Sequence, residues 1–274
     1  MVNELEFYKI VDQLFVNKLK GNWMKYFSKS IYILIFILFI FVNLTNSSTY
    51  ATALKYKISD KEFSSYVVIP EEKPKGVIFI IHDWNGLTDY EKKRANSLAE
   101  EGYISIAVDL FGIETKLEGF KDYRRETRAL YGNREEFRKR INKAIDIGKE
   151  AYGIDGKNFL MGYCFGGTAV LEAARAGIDM NGFISFHGGL KTPEGQNYEK
   201  TNSKVLLLHG SADPVSGMND LADLIKRLEK EGVPHEAQIF EGVRHSFTVS
   251  GSRDYDSDAD KKSWEALKRF LSQN

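Results

Sequence analysis

From residue 54 on, short unbroken apolar runs alternate with longer stretches in which apolar residues recur every three or four positions. "GVIFII" (76–81) is continuous and β-branched, as a strand buried on both faces should be. "TDYEKKRANSLAEEG" (88–102) has helical spacing, with Thr88 placed to cap its start and Gly102 to end it. "YISIAVD" (103–109) is the next strand. Residues 117–151 are charged, with apolar positions at helical spacing and a break near Gly132-Asn133. "KNFLMG" (157–162) predicts a strand and "FGGTAVLEAARAG" (165–177) a helix rich in small residues. Further strands are predicted at "GFISF" (182–186), "KVLLLHG" (204–210) and "HEAQIFEG" (235–242). The amphipathic "MNDLADLIKRLEKEG" (218–232) separates the last two, and "DSDADKKSWEALKRFLSQ" (256–273) closes the chain as another helix. "SSYVVIP" (64–70) reads as an early edge strand. Strands alternating with helices imply parallel βαβ units, hence an α/β fold. A mostly parallel central sheet with helices on both faces is expected, in one compact domain. Functional groups in such sheets gather at the carboxyl ends of the strands.

A different pattern precedes that domain. "IYILIFILFIFV" (31–42) is apolar without a break, with Lys25 and Lys29 before it and the polar "NLTNSSTYATA" after it. Twelve residues fall short of the roughly 20 that a transmembrane helix needs. They fit the apolar core of a secretory signal, and Ala51-Thr52-Ala53 fits its small-x-small cleavage pattern. Export with cleavage near Ala53 is the first expectation. The alternative is an uncleaved anchor, with membrane association through residues 31–42. Residues 1–23 are long for the start of a signal. Met24 would open an ordinary one, "MKYFSKS", and both starts stay open. The chain thus divides into a leader or anchor segment, 1–53, and a folded domain, 54–274.

Composition narrows the function. With 43% hydrophobic residues in 274, a sizeable core can form. A formal net charge of zero argues against a nucleic-acid partner, which favours a basic excess. One cysteine excludes an internal disulfide, and there is no CxxC pair or HExxH helix. No metal and no cofactor are expected, and a monomer acting on a small molecule is.

The lone cysteine lies in "GYCFGG" (162–167), between a predicted strand and a predicted helix. This is the pattern G-x-nucleophile-x-G, a sharp elbow that needs small neighbours and strains the backbone of the nucleophile. The start of the helix brings N–H groups and a positive dipole end near the sulfur, which favours a thiolate. The bland alternative is a buried apolar cysteine. Asp213, in "LLLHGSADP", and His245, in "EGVRHSF", each follow a later strand. The order nucleophile, acid, histidine is that of the α/β-hydrolases. Histidine can take a proton near neutral pH, aspartate can hold its tautomer, and a thiol so paired can attack a carbonyl.

Together "MGYCFGG", "LHGSADP" and "RHSF" resemble the dienelactone hydrolase family, a cysteine branch of the α/β-hydrolases. "HDWNGL" (82–87), "GYISIAVDLFG" (102–112) and "YDSDADKKSWEALKRFL" match its other motifs, so the resemblance covers about residues 60–272. It implies the α/β-hydrolase fold, a Cys164–Asp213–His245 triad and hydrolysis of an ester or lactone through a thioester. It also implies an oxyanion hole from the backbone N–H groups of Trp84 and Phe165. The family has an acidic residue just before the first of these, which contacts the resting thiol and helps form the thiolate when substrate binds. Here it is Asp83, where many members have glutamate. A turn residue bonding its own backbone is the competing reading of Asp83.

His82 and His209 end buried strands and are expected to bond nearby backbone, while His187 could line the pocket and His235 starts a surface strand. Arg124 and Arg125, with Arg128 in "DYRRETRALYG", lie where the family can bind a substrate carboxylate; a solvated helix face is the alternative. Family members that open dienelactones carry an arginine four residues after the histidine. Val249 stands there, so uncharged esters are expected to be better substrates. Other function classes are a non-catalytic binding protein on the same fold, and a thioesterase or peptidase with the same triad.

Overall fold

β3 (Gly76–Ile81) is buried at every position because both its faces are covered. Val77, Phe79 and Ile81 join one apolar cluster, Ile78 and Ile80 the other. β4 (Ile104–Val108) pairs with it in parallel on one side and β5 (Lys157–Tyr163) on the other. β6 (Gly182–Phe186), β7 (Lys204–Gly210) and β8 (His235–Phe240) extend the parallel sheet beyond β5. On the far side β2 (Lys61–Pro70) runs antiparallel to β4, and β1 (Thr49–Ile58) antiparallel to β2. The order is β1-β2-β4-β3-β5-β6-β7-β8. The computed structural model describes residues 49–153 and 156–274.

Helices cover both faces. α1 (Asp89–Glu100) and α6 (Ser257–Gln273) bury Leu98, Leu267 and Phe270 in one cluster. α2 (Phe120–Gly132), α3 (Arg134–Tyr152), α4 (Phe165–Ala176) and α5 (Met218–Lys230) turn Leu130, Phe137, Val170 and Leu224 into the other. Local signals set their ends. Thr88 and Glu91 form a reciprocal capping box at the start of α1. The break at Gly132-Asn133 separates α2 from α3, and the Asn133 side chain accepts from the Glu136 N–H at 3.0 Å to cap α3.

Two expectations change. β2 is not an edge strand, because β1 lies outside it and pairs from Thr49↔Pro70 to Ile58↔Lys61. The folded unit therefore begins before residue 54, and β1 runs through Ala51-Thr52-Ala53. Its period of two is plain in "TALKYKI": Thr52, Leu54, Tyr56 and Ile58 turn inward, Ala53, Lys55 and Lys57 outward. A small-residue cleavage pattern overlapped that alternation and hid it. The apolar run 31–42 lies outside the described residues. Among the described residues no helix is long and apolar enough to cross a membrane.

Candidate active site

β5 ends at Tyr163 and α4 begins at Phe165, so Cys164 alone makes the turn. Its φ of 52° and ψ of −108° are uncommon for a side-chain-bearing residue and cost about 1–3 kcal/mol. The surroundings hold it there. The Cys164 N–H donates to the Phe186 carbonyl at 3.0 Å, and the Cys164 carbonyl accepts from the Thr168 N–H at 3.1 Å. A Cβ on Gly162 would sit 2.3 Å from the Gly166 carbonyl carbon, and one on Gly166 would sit 2.1 Å from the Ile81 carbonyl oxygen. Strand and helix approach too closely for any side chain at either place. Beneath the elbow Phe165 packs on the rings of Phe111, Tyr131 and Phe137 at 5.2–5.5 Å.

Asp213 follows β7, and His245 follows β8 in a segment with no helix or strand of its own. His245 bridges the other two residues: its Nδ1 lies 2.7 Å from Asp213 Oδ2 and its Nε2 3.0 Å from Cys164 Sγ. Asp213 Oδ1 accepts from the N–H groups of Val215 and Ser216 at 2.7 and 3.1 Å. Burial opposes the charge on Asp213. The His245 hydrogen bond and those N–H groups outweigh it and hold its carboxyl below the usual carboxylate range. A carboxylate only accepts, so the proton of the imidazole sits on Nδ1 and Nε2 is free to accept from the thiol.

Asp83 and Trp84 lie beside this pair. The Trp84 N–H donates to Oδ1 of Asp83, so the expected oxyanion donor is already engaged. Asp83 thus bonds adjacent backbone, as the turn reading expects, and its charge acts on the Cys164 thiol, as the resemblance implies. Burial raises its pKa to about 6, against the lowering effect of the Trp84 N–H and the thiol. Withdrawal from water, then the Asp83 charge, pushes the Cys164 thiol well above its ordinary value, although the Phe165 N–H works the other way. Burial thus favours the protonated thiol, with His245 Nε2 3.0 Å from the sulfur.

A profile of the dienelactone hydrolase family matches residues 63–274. The chain belongs to the dienelactone hydrolase family. A provisionally named carboxymethylenebutenolidase of Saccharolobus solfataricus is 24% identical over 252 residues, 79% of this chain and 96% of its own length. A second of that name, from Aquifex aeolicus, is 24% identical over 212 residues, 75% of this chain and 91% of its own. Among solved structures, a dienelactone hydrolase-like promiscuous phosphotriesterase from metagenomic libraries superposes with a TM-score of 0.76 at 26% identity. It covers 82% of this chain and 98% of its own. A provisionally named dienelactone hydrolase of Klebsiella pneumoniae shares the fold, with a TM-score of 0.71 at 17% identity, over 83% of this chain and all of its own. The expected α/β-hydrolase fold is the one present, and the protein is a hydrolase acting on ester or lactone bonds.

The other sequence candidates of this dienelactone hydrolase-family chain are accounted for. Arg125 is spent on Asp122, Glu126 and the Lys116 carbonyl. Arg124 is exposed and lies over the Phe120 ring, which in turn meets Trp84 edge-on at 5.2 Å. His82 bonds backbone at Asp83 and Leu110, and His209 bonds the Ser216 carbonyl, as expected of strand-end histidines. His235 bonds the Val233 carbonyl at the start of β8. Sequence reasoning missed Glu91. It is fully buried, and it accepts from the Asp83 N–H through one oxygen and from Thr88 through the other. The signal was present in "TDYE", a capping-box spacing whose acid also holds the Asp83 loop. Among the described residues no group of three or more His, Cys, Asp or Glu side chains could hold a metal ion.

Proposed function

We propose that this enzyme hydrolyses uncharged carboxylic esters or lactones through a thioester on Cys164, with His245 as base and then acid and Asp213 as its partner. The observation that carries this reading is His245 standing 3.0 Å from the sulfur and 2.7 Å from the carboxylate at once. The substrate carbonyl oxygen takes the place of the Asp83 carboxyl at the Trp84 N–H. The Cys164 proton passes to His245, or to the newly exposed Asp83 carboxylate. The sulfur attacks the carbonyl carbon, and the oxyanion is held by the N–H groups of Trp84 and Phe165, a kind of interaction worth several kcal/mol. The protonated group returns its proton to the leaving alkoxide, and a thioester remains. His245 then removes a proton from water, hydroxide adds to the thioester, and the acid departs as the thiol is restored. No metal or cofactor enters.

The site mouth favours substrates without charge. Phe120 and Val215 are 59% and 65% exposed. Phe120 flanks Trp84, Val215 follows Asp213 by two residues, and Val249 follows His245 by four. An ester and lactone panel on wild type and Cys164→Ala tests the proposal, with iodoacetamide labelling of the single thiol. Turnover that survives Cys164→Ala would overturn it.

The apolar run 31–42 supports export of the enzyme, which acts as a monomer on its small-molecule substrate. Because β1 starts at Thr49, the mature end is expected ahead of that residue rather than at Ala53. Sequencing the N-terminus of extracytoplasmic protein decides this.

A further inference from the structure

His245 lies in an irregular segment, so neighbouring side chains must fix its place. Phe247, fully buried, packs on the rings of Phe240 and His187 at 5.1 and 5.3 Å. Thr248 is 1% exposed, and it makes three hydrogen bonds to residues outside the segment. Its Oγ1 lies 2.7 Å from Tyr90 Oη and 2.8 Å from His187 Nε2, and its carbonyl accepts from Arg94 Nη2 at 2.9 Å. Tyr90 and Arg94 are on α1. Arg94 is itself held, by Asp260 of α6 and over the rings of Tyr90, Tyr163 and Trp264 at 5.2–5.8 Å.

Arg94 can only donate, and its Nε–H points to Tyr90 Oη at 3.3 Å. Tyr90 O–H donates to Thr248 Oγ1. Thr248 Oγ1 and His187 Nε2 share a further hydrogen bond, whose direction follows the His187 tautomer. Burial, and next the charge of His245, keeps the His187 pKa well below its ordinary value, so it is neutral. The His187 ring stands edge-to-face against the His245 ring at 5.2 Å. His187 adopts a φ of 39°, uncommon outside glycine, at the end of β6. A chain of hydrogen bonds therefore runs from a caged arginine on α1 through Thr248 to a ring that abuts the imidazole.

We propose that Thr248 is a positioning residue for His245: its hydroxyl, held between Tyr90 and His187, locks the segment so that the imidazole stays between Asp213 and Cys164. This rests on the reading of those three residues given above. Shape alone would be served by valine, so the hydroxyl is the part under test.

Thr248→Val keeps the volume and removes the hydroxyl, whereas Thr248→Ser keeps the hydroxyl. For p-nitrophenyl acetate, Thr248→Val should lower kcat about ten- to a hundredfold with KM nearly unchanged, as a small misplacement of a catalytic group does. Thr248→Ser should recover most of kcat. A readout without turnover is the low-field proton resonance of the His245–Asp213 hydrogen bond. It should weaken or broaden in Thr248→Val and persist in Thr248→Ser. Wild-type kcat and resonance in Thr248→Val overturn the proposal, as does a serine variant no better than the valine one. If wild type shows no turnover dependent on Cys164, the ester-hydrolase reading falls and the resonance alone decides the role of Thr248. If Thr248→Val does not fold, Tyr90→Phe removes the bond from α1 instead. A loss of kcat with KM kept then supports the clamp, and an unchanged kcat and resonance overturns it.

Discussion

The proposed nucleophile and the proposed base are held in opposite ways. Cys164 is placed by backbone: a strand, a helix, and glycines that let the two nearly touch. His245 is placed by side chains from distant parts of the chain, since Thr248 meets Tyr90 and Arg94 across 158 and 154 residues. The elbow is rigid by construction and carries strain at φ 52°. The histidine segment gains its order from a network that single substitutions can loosen. Backbone placement suits the atom proposed to form the covalent bond, and a side-chain lock suits the proposed base, whose imidazole must keep its place through two proton transfers.

The largest effect should come from removing either reacting group. Cys164→Ala should abolish hydrolysis without unfolding, since alanine fits the same turn. His245→Ala should lower kcat by about a hundred- to ten-thousandfold, and Asp213→Ala by less. A mild loss at His245 with a severe one at His187 or His209 would mean that the base is another histidine. On the elbow side the sensitivity should be structural. In Gly166→Ala a methyl would lie 2.1 Å from the Ile81 carbonyl oxygen, so strand or helix must move. A loss of melting temperature along with activity is expected. Wild-type melting in Gly166→Ala would show that the elbow has room the geometry denies.

Those two halves of the site were unequally legible. "GYCFGG" gave the elbow, its strain and its small neighbours, because the turn itself lies within six residues. The residues now seen around His245 gave no local signal. Thr248 and Tyr90 look like ordinary loop and helix residues until tertiary contact joins them. The sheet shows the same divide. Buried parallel strands such as "GVIFII" announce themselves by continuity, while β1 was obscured by a leader-like composition over its first residues. Charge on α2 was ambiguous for a related reason: sequence could not show that Arg125 is used up by Asp122 and Glu126.

Asp83 bonds the Trp84 N–H, its charge acts on the thiol, and its removal sharpens the contrast. Asp83→Asn removes a charge that raises the thiol pKa, so iodoacetamide should label Cys164 faster near pH 7. Ester turnover should nevertheless fall, by about a hundredfold if the carboxylate takes the first proton. Stability should move the other way. A carboxyl whose pKa is raised from 3.8 to about 6 binds its proton more tightly folded than unfolded. Its penalty is absent below about pH 4, grows as pH rises to about 6 and is constant above. Asp83→Asn should therefore raise the melting temperature at pH 7.5 and change it little at pH 4. Slower labelling, or equal stabilisation at both pH values, would refute this account of Asp83.

The smallest effect concerns choice of substrate, at the outer end of the histidine segment. Val249 is partly exposed and stands at the position where the family resemblance implies an arginine in dienelactone-opening members. Arg253 is 84% exposed and faces Asp254, which Arg244 also pairs, and Arg125 is committed to its own helix. Arg124, beside Phe120 and Trp84, and Arg128, exposed on the same helix, are the remaining candidates from the sequence. Val249→Arg would add a donor four residues after His245. A hydrogen bond to a charged group is worth about 1.5–3 kcal/mol, and partial exposure argues for the lower end, roughly tenfold in affinity. The expected result is a rise of about tenfold in kcat/KM for a carboxylate-bearing lactone, with an uncharged ester of similar size unchanged or slower. Comparing the two substrates on wild type and Val249→Arg makes the test internal. A wild-type enzyme that already prefers the anionic lactone would reverse the assignment and point to Arg124 or Arg128, whose replacement by alanine should then remove that preference.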